Sequence, residues 1–199
     1  YMYPFIETLQ IKDGVIQNIA YHNERLNRTR KNFWPNCSVI DLADYIYQEQ
    51  QVPGILKCRI LYDEKINEVT FTPYVIRPVH CIRLVYSDCI SYTYKSSDRE
   101  ALNQLYSQRG DADDILIVKK GLLTDTSIAN IALYNGTEWY TPVSPLLKGT
   151  KRAFLIDQGI IREQNILIGN LDTYSKITLF NALIDFRTIE LSVDQLHMR

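Results

Sequence analysis

The strongest constraint on the fold is the Asp13-Gly14 pair near the start of the chain. It lies between two runs with strand-like composition, from Tyr3 to Ile11 and from Val15 to Asn18. Asp-Gly between such runs is the clearest short-range signal for a β-hairpin, because both residues tolerate the positive φ angles of a tight two-residue turn. The chain is therefore predicted to open with an antiparallel hairpin.

Two helices and two strands are predicted after the hairpin. The helices run from about Tyr21 to Trp34 and from about Val39 to Gln50, and each ends ahead of a proline. The strands run from Ile55 to Tyr62 and from Glu68 to Tyr74. Together these elements form a small α+β unit, and Arg77-Pro78 is the best candidate for a linker after it.

The second half is predicted to consist mainly of short strands. A strand at about Ile82 to Tyr86 leads to a helix at about Asp98 to Ser107. Four further runs rich in strand formers are separated by short turns, which favours an antiparallel meander over βαβ winding. These runs are Asp114 to Val118, Leu122 to Thr126, Asn130 to Tyr134 and Glu138 to Thr141. A last helix is predicted from near Gly149 to about Gln158, and a late strand from Lys176 to Ala182.

Length and composition indicate an ordinary globular protein. The 199 residues are 46% hydrophobic and 23% charged, and the formal net charge of -1 gives no basic surface for nucleic acid or for an anionic membrane. No apolar run approaches the roughly 20 residues of a membrane span. The sequence given also lacks the basic start and apolar stretch of a secretion signal. The expected location is the cytoplasm.

The cysteines and histidines lack the spacing of a metal site. The four cysteines contain no C-x-x-C pair, and His22, His80 and His197 are widely separated along the chain. Neither a metal centre nor a disulfide framework is expected.

Two segments could bind an anion. Gly149-Thr150-Lys151-Arg152 stands at a predicted helix start, where backbone amides and the helix dipole favour phosphate. The spacing of a P-loop is absent, and a helix-opening glycine can be purely structural. Arg25, in His22-x-x-Arg25-Leu26, could clamp an anion or could be a solvated charge on an exposed helical face.

Lys95 and Asp125 form a further candidate pair. Lys95 lies where a strand pattern gives way to a helix, and Asp125 lies in the otherwise uncharged run from Leu123 to Asn130. An amine at a strand end and a later carboxylate are the pairing that a pyridoxal 5'-phosphate (PLP) enzyme needs to hold its cofactor. The alternative for Lys95, taken alone, is an ordinary surface lysine.

Taken together and in order, these segments resemble the class IV aminotransferase family of fold type IV PLP enzymes. This family includes branched-chain and D-amino-acid aminotransferases and aminodeoxychorismate lyase. Arg99, four residues after Lys95, and the wording Asn181-Ala182-Leu183 are most similar to the lyase. The matching segments are Phe5-Ile6-Glu7-Thr8-Leu9, Asp13-Gly14, His22-x-x-Arg25-Leu26, Lys95 with Asp98-Arg99, Thr124-Asp125 through Ala129-Asn130, Gly149-Thr150-Lys151-Arg152 and Phe180-Asn181-Ala182-Leu183.

The resemblance implies a mixed α/β (α+β) architecture of two domains. A small N-terminal α+β domain would comprise residues 1–77, and a larger β-rich domain that binds PLP would comprise residues 80–199. The resemblance also implies a homodimer, because sites in this family are completed across a subunit interface.

Carried over position by position, the resemblance implies a set of site residues. Lys95 would hold PLP as a Schiff base and, once released, act as the general base. Asp125, where the family usually has Glu, would face the pyridine nitrogen and keep it protonated. The phosphate would be held by Arg25, the backbone amides of Thr150 and Lys151, and Asn181.

The activity implied by the resemblance is that of a lyase. It would release pyruvate and p-aminobenzoate, a folate precursor, from the small amino substrate 4-amino-4-deoxychorismate, with Thr8 passing a proton to the leaving group. A class IV aminotransferase acting on branched-chain or D-amino acids requires the same Lys95 and remains an alternative. A non-catalytic relic of the fold is a third possibility.

The ligand of the substrate carboxylate is left open by the sequence. Lys57 and Arg59 alternate with Cys58 on a predicted strand, so both side chains could point to one side. That side could equally be an ordinary solvent-facing surface, and neither residue is assigned.

Overall fold

The computed structural model describes residues 3–47 and 53–197, which form two compact units. The first unit extends to Ile76 and includes the separate segment Tyr94–Asp98. The second comprises Arg77–Thr93 and continues from Arg99. The segment with Lys95 therefore lies with the first unit, whereas the sequence analysis placed it in the second domain.

The first unit is a four-stranded antiparallel sheet with one long helix, α1 (Ile19–Phe33). The predicted hairpin is confirmed, because the first two strands form an antiparallel pair. Asp13 and Gly14 lie between these strands, and both have positive φ angles. The strands of this sheet are β1 (Phe5–Lys12), β2 (Val15–Ile16), β3 (Ile55–Tyr62) and β4 (Ile66–Pro73). Their order across the sheet is β2-β1-β3-β4.

An apolar core joins this sheet to helix α1. Leu9 on β1, Leu26 on α1 and Ile60 on β3 are fully buried in it. Strand β3 alternates between buried and half-buried residues, as expected for a strand with one face toward a core. Strand β1 differs, since only Thr8 and the terminal Lys12 are not buried.

The helix predicted from about Val39 to Gln50 is wrong over its described part, residues 39–47, where only Leu42–Asp44 forms a short 3-10 turn. The reason is that side chains of α1 form hydrogen bonds with backbone groups of this segment. The amide of Asn27 bonds both N–H and C=O of Ile40, and the amide oxygen of Asn23 accepts the N–H of the turn's first residue. Such side-chain bonds compete with a helical ladder. Residues 48–50 lie outside the described part.

The second unit contains two sheets and two helices, α2 (Glu100–Tyr106) and α3 (Thr150–Asp157). Its strands are β5 (Ile82–Tyr86), β6 (Asp114–Lys119), β7 (Leu122–Thr126), β8 (Asn130–Tyr134), β9 (Trp139–Pro142), β10 (Arg162–Gln164), β11 (Lys176–Phe180), β12 (Ile189–Ser192) and β13 (Leu196–His197). One sheet has the order β13-β5-β6-β7, and the other has the order β10-β9-β8-β11-β12.

The predicted antiparallel meander is only partly correct. Strand β5, which lies outside the four runs of that prediction, is parallel to β6, with α2 in the connection. Strands β6 and β7 pair antiparallel, as do β8 and β9, but β7 and β8 belong to different sheets. Between them Thr126 bonds the carbonyl of Ala129 through both its N–H and its hydroxyl, and this turn carries the chain from one sheet to the next.

The helices within the described ranges are all too short or too polar to cross a membrane.

Candidate active site

Lys95 is fixed to the first unit through its backbone. The N–H of Ile6 on β1 donates to the Lys95 carbonyl at 2.8 Å, and Ser96 forms an antiparallel bridge with Phe5. The preceding Tyr94 packs its ring against Phe5 and against Phe33 of α1, at centroid distances of 6.0 and 4.9 Å. The lysine is therefore held beside β1 on both sides, although it is far from that strand in sequence.

Arg25 is buried and paired, which excludes the solvated-charge interpretation of this helix face. Its Nε and Nη2 donate to the two carboxylate oxygens of Glu7 at 2.7 and 2.6 Å. His22, one turn earlier on α1, donates from Nδ1 to the same Glu7 carboxylate at 2.6 Å. Burial alone would raise the pKa of Glu7, but the charge of Arg25 and the hydrogen bonds from Arg25 and His22 hold that pKa at about 2.

The positive charge of Lys95 acts on His22 in this cluster. Burial lowers the pKa of His22, the hydrogen bond and charge of Glu7 oppose that lowering, and the positive charges of Arg25 and Lys95 add to it. Lys95 and Arg25, both in the first unit, are therefore each close enough to His22 to affect its pKa.

Thr8 lies on the opposite face of β1 from Glu7, because side chains alternate along a strand. It is half-buried and pairs across the sheet with Arg59 of β3, while Gln10 pairs with Lys57. Residues directly opposite each other share a face. The hydroxyl of Thr8 and the two half-buried cations of β3 therefore emerge on the same side of the sheet.

Asp125 is buried in the second unit and its two oxygens have separate donors. Oδ1 accepts from the side-chain amide of Asn130, and Oδ2 accepts from the N–H of Leu147, both at 2.9 Å. Burial raises the pKa of Asp125 to about 7, against the lowering effect of these two donors and of the more distant Arg152 charge. A carboxylate with only neutral hydrogen-bond donors suits a cationic ligand group.

The start of helix α3 has the features of an anion site. Gly149 is its N-cap, and Thr150 and Lys151, the first two helical residues, are buried. The first N–H groups of a helix have no partner within the helix and point along its axis. A Cβ at position 149 would overlap the amide oxygen of Asn130, so this close approach requires glycine.

Asn181 uses its side chain to fix the turn after β11. Its amide oxygen accepts the N–H groups of Leu183 and Ile184, at 2.8 and 3.0 Å. Its Nδ2 donates to the carbonyl of Ile128, in the turn between β7 and β8, at 3.1 Å. In the same region the Nζ of Lys151 binds the Asp185 carboxylate at 2.7 Å, which ties the start of α3 to this turn.

The predicted site residues thus fall into two groups. The first unit carries Lys95, Thr8 and Arg25. The second unit brings Asp125 of β7, the start of α3 and the turn at Asn181 together through side-chain hydrogen bonds and one ion pair.

Sequence reasoning missed the residues that support these groups. Glu7 on β1 and His22 on α1 are polar residues, and each would be predicted to be exposed if its strand or helix were considered alone. Asn130 bonds Asp125 and the carbonyl of Leu147 at once, and only its separation of five residues from Asp125 hinted at this. An acidic residue inside an otherwise apolar strand-like run, as at Glu7, is the signal that could have identified Glu7 and His22.

Comparison with known proteins identifies the family. The family model for class IV amino-transferases matches residues 93–191. A protein of Haemophilus influenzae without a characterised function is 35% identical over 185 residues, which are 92% of this chain and 98% of that protein. The chain belongs to the class IV aminotransferase family.

Solved structures agree with this assignment to the class IV aminotransferases. A crystal structure from Haemophilus somnus, provisionally named a 4-amino-4-deoxychorismate lyase, is 34% identical and has a TM-score of 0.86. The match covers 92% of this chain and 98% of that one. A PLP-bound aminotransferase of Mycobacterium tuberculosis, described as hypothetical, has the same fold at 15% identity, with a TM-score of 0.77 over 99% and 82% of the two chains.

The family is PLP-dependent, and the residues of this chain fit the cofactor. A buried acid with a raised pKa and neutral donors, Asp125, suits a protonated ring nitrogen. The start of α3 suits a phosphate, and Arg25 is a buried cation in the same neighbourhood as the Lys95 amine. The chain therefore contains a matching group for the aldehyde, the ring nitrogen and the phosphate of PLP.

Proposed function

We propose that this protein is a PLP-dependent lyase that converts 4-amino-4-deoxychorismate to pyruvate and p-aminobenzoate. The observation that carries the proposal is a hydroxyl on the strand that holds the lysine. Thr8 is two residues from Ile6, whose N–H binds the Lys95 carbonyl. A proton donor beside a general base is what release of an enolpyruvyl group requires, because one proton leaves the ring carbon and another goes to the leaving group.

Each residue has a defined task in this proposal. Lys95 would hold the cofactor covalently, and its amine would act as the base that removes the proton from the substrate carbon bearing the amino group. Thr8 donates a proton to the leaving group. Bound PLP supplies an electron sink for the pair left behind when that proton departs. Aromatisation of the product ring drives the elimination, and the cofactor is not consumed.

The remaining residues hold the cofactor in this proposal. The Asp125 carboxylate keeps the ring nitrogen protonated, and its two neutral donors fix the direction of its oxygens. Arg25 and the backbone amides of Thr150 and Lys151 bind the phosphate. Asn181 contributes by fixing the turn beside the start of α3, since its side chain already bonds three backbone groups.

A class IV aminotransferase is the second candidate. The similarity in fold to the Mycobacterium tuberculosis aminotransferase favours it, and it needs the same lysine and cofactor. That reaction expels no leaving group from the substrate, so a hydroxyl donor on β1 would have no required task in it.

The first experiment tests for an enzyme of either kind. Purified protein incubated with PLP should turn yellow, and borohydride should trap a covalent adduct on Lys95. The Lys95→Ala variant should form no adduct, with Lys57→Ala as the control that keeps it. A colourless wild-type protein that takes up no PLP would support the non-catalytic relic.

The second experiment separates the two reactions. Wild-type enzyme given 4-amino-4-deoxychorismate should release pyruvate without any keto acid present, and Thr8→Val should slow this release by roughly a hundredfold or more, while Thr8→Ser retains most of it. Turnover that appears only when an amino donor and a keto acid are both supplied would move the assignment to the aminotransferase.

A further inference from the structure

A buried carboxylate connects the phosphate candidate Arg25 to the rest of the first unit. Glu7 is fully buried on β1, and its two carboxylate oxygens accept hydrogen bonds from Nε and Nη2, the two donors along one edge of the Arg25 guanidinium. This bidentate arrangement fixes the plane of the guanidinium as well as its position, which a single hydrogen bond does not do. The orientation of Arg25 is therefore set by β1, the strand that also holds the Lys95 backbone.

His22 holds the carboxylate from a third direction. Its Nδ1 donates to Glu7 Oε2, the oxygen that also accepts from Arg25 Nη2. Since burial and the nearby cations lower the pKa of His22, its ring is neutral at physiological pH and acts as a fixed donor. Glu7 is thus prevented from turning away from Arg25.

This arrangement is costly if its only purpose is to attach α1 to β1. Removing two charges from water carries a large desolvation cost, and well-packed apolar residues often stabilise such a position equally well or better. The surrounding core is apolar, with Leu9 and Leu26 fully buried. A bidentate buried pair is better explained by a need for a guanidinium with a fixed direction.

We propose that Glu7 is a positioning residue for phosphate recognition: it fixes the Arg25 guanidinium in the orientation that binds the phosphate of PLP, and His22 fixes Glu7. The inference rests on the proposed function, because it takes the Arg25 ligand to be the cofactor phosphate. It assigns to Glu7 and His22 no contact with the reacting atoms.

The test compares PLP with pyridoxal, which has the same ring and aldehyde but no phosphate. Cofactor-free wild type, Glu7→Gln and Arg25→Lys are titrated with each compound, with tryptophan fluorescence as the signal. Glu7→Gln keeps the side-chain shape but places an amide N–H against donors of Arg25 or His22. We expect its dissociation constant for PLP to rise roughly tenfold to a hundredfold, with that for pyridoxal near the wild-type value.

Glu24→Gln is the matched control. Glu24 lies on the same helix as Arg25 and pairs with Arg28 on the exposed surface, so its charge is removed without touching the buried cluster. This variant should bind both compounds as wild type does. If Glu7→Gln does not fold, Glu7→Asp takes its place, because it keeps the charge while its shorter side chain cannot maintain both contacts with Arg25.

Each outcome bears on one of the two proposals. Loss of PLP binding without loss of pyridoxal binding in both the Glu7 and Arg25 variants supports the positioning role. Equal weakening of both compounds means that Glu7 only stabilises the fold, and an unchanged preference for PLP in Glu7→Gln also overturns the inference. A wild-type protein that binds neither compound would overturn the proposed function itself.

Discussion

At the scale of single residues, Asp125 shows how burial prepares a group for a ligand. Its carboxyl has two good hydrogen bonds and still has a pKa of about 7, because two neutral donors do not compensate for the loss of water around a charge. Ionising Asp125 therefore costs more free energy in the folded protein than it would in water. A cationic ligand would relieve that cost.

Asp125→Asn should therefore change how stability depends on pH in the cofactor-free protein. The pKa of Asp125 in the folded state, about 7, lies above its ordinary value of 3.8, so the folded state binds the proton more tightly between these values. The contribution of Asp125 to the free energy of unfolding is then fully present below about pH 4, is lost as the pH rises to about 7, and is constant above that.

The measurement is the difference in the free energy of unfolding between wild type and Asp125→Asn, from urea titrations at several pH values. We expect this difference to fall by a few kcal/mol, in order of magnitude, from about pH 4 to about pH 7. Other carboxyl groups cancel in the difference. Parallel curves for the two proteins would mean that Asp125 titrates at its ordinary pKa.

At the scale of elements, the start of α3 depends on a close approach between two segments. The backbone at Gly149 lies against the amide oxygen of Asn130, and that amide also bonds Asp125 and the carbonyl of Leu147. A side chain at position 149 must displace Asn130 and so disturbs the carboxylate as well. The start of α3 and Asp125 are thus coupled through the side-chain amide of Asn130.

Gly149→Ala should destabilise the protein by about 1–3 kcal/mol, the usual cost of overpacking a tight site. Gly169→Ala is the control, because a Cβ there meets no atom within 4 Å and its φ angle is not positive. The control variant should unfold at nearly the wild-type urea concentration. Equal midpoints for the two variants would show that Asn130 moves aside without cost.

The segment after α1 shows how a neighbouring element can override a local pattern. Residues 39–47 follow a helical spacing of apolar residues, but the asparagines of α1 bond the N–H and C=O of Ile40 and the N–H of Leu42 and hold this segment in a non-helical path. The competing partners are more than ten residues away in sequence. No window confined to this segment contains them.

For the chain as a whole, ligand binding should stabilise the folded state by mass action. A ligand that binds only the folded protein adds about 2.7 kcal/mol to the free energy of unfolding when its free concentration is a hundred times its dissociation constant. PLP should therefore raise the thermal midpoint of wild type in proportion to the logarithm of its concentration.

The same titration on Lys95→Ala provides the contrast. That variant lacks the covalent attachment and needs a much higher PLP concentration for the same rise in midpoint. Differential scanning fluorimetry at matched protein concentrations is sufficient for both proteins. A midpoint in wild type that does not respond to PLP would contradict cofactor binding, irrespective of any assay for activity.

The sequence alone determined the elements whose signals are local. The hairpin at Asp13-Gly14 and the strands from Ile55 to Tyr62 and from Leu122 to Thr126 were predicted at or near their observed bounds, because turn chemistry and side-chain alternation act over a few residues. The ordered motifs also identified the family, since a motif series is preserved along the chain.

Contacts between residues far apart in sequence became known only from the folded structure. It placed the Lys95 segment with the first unit, buried Arg25 against Glu7, and made Asn130 the link between Asp125 and the start of α3. Burial and pairing of charges depend on how elements pack against each other, and no periodicity within one element records that. The same packing placed β7 and β8 in different sheets where the local pattern favoured a meander.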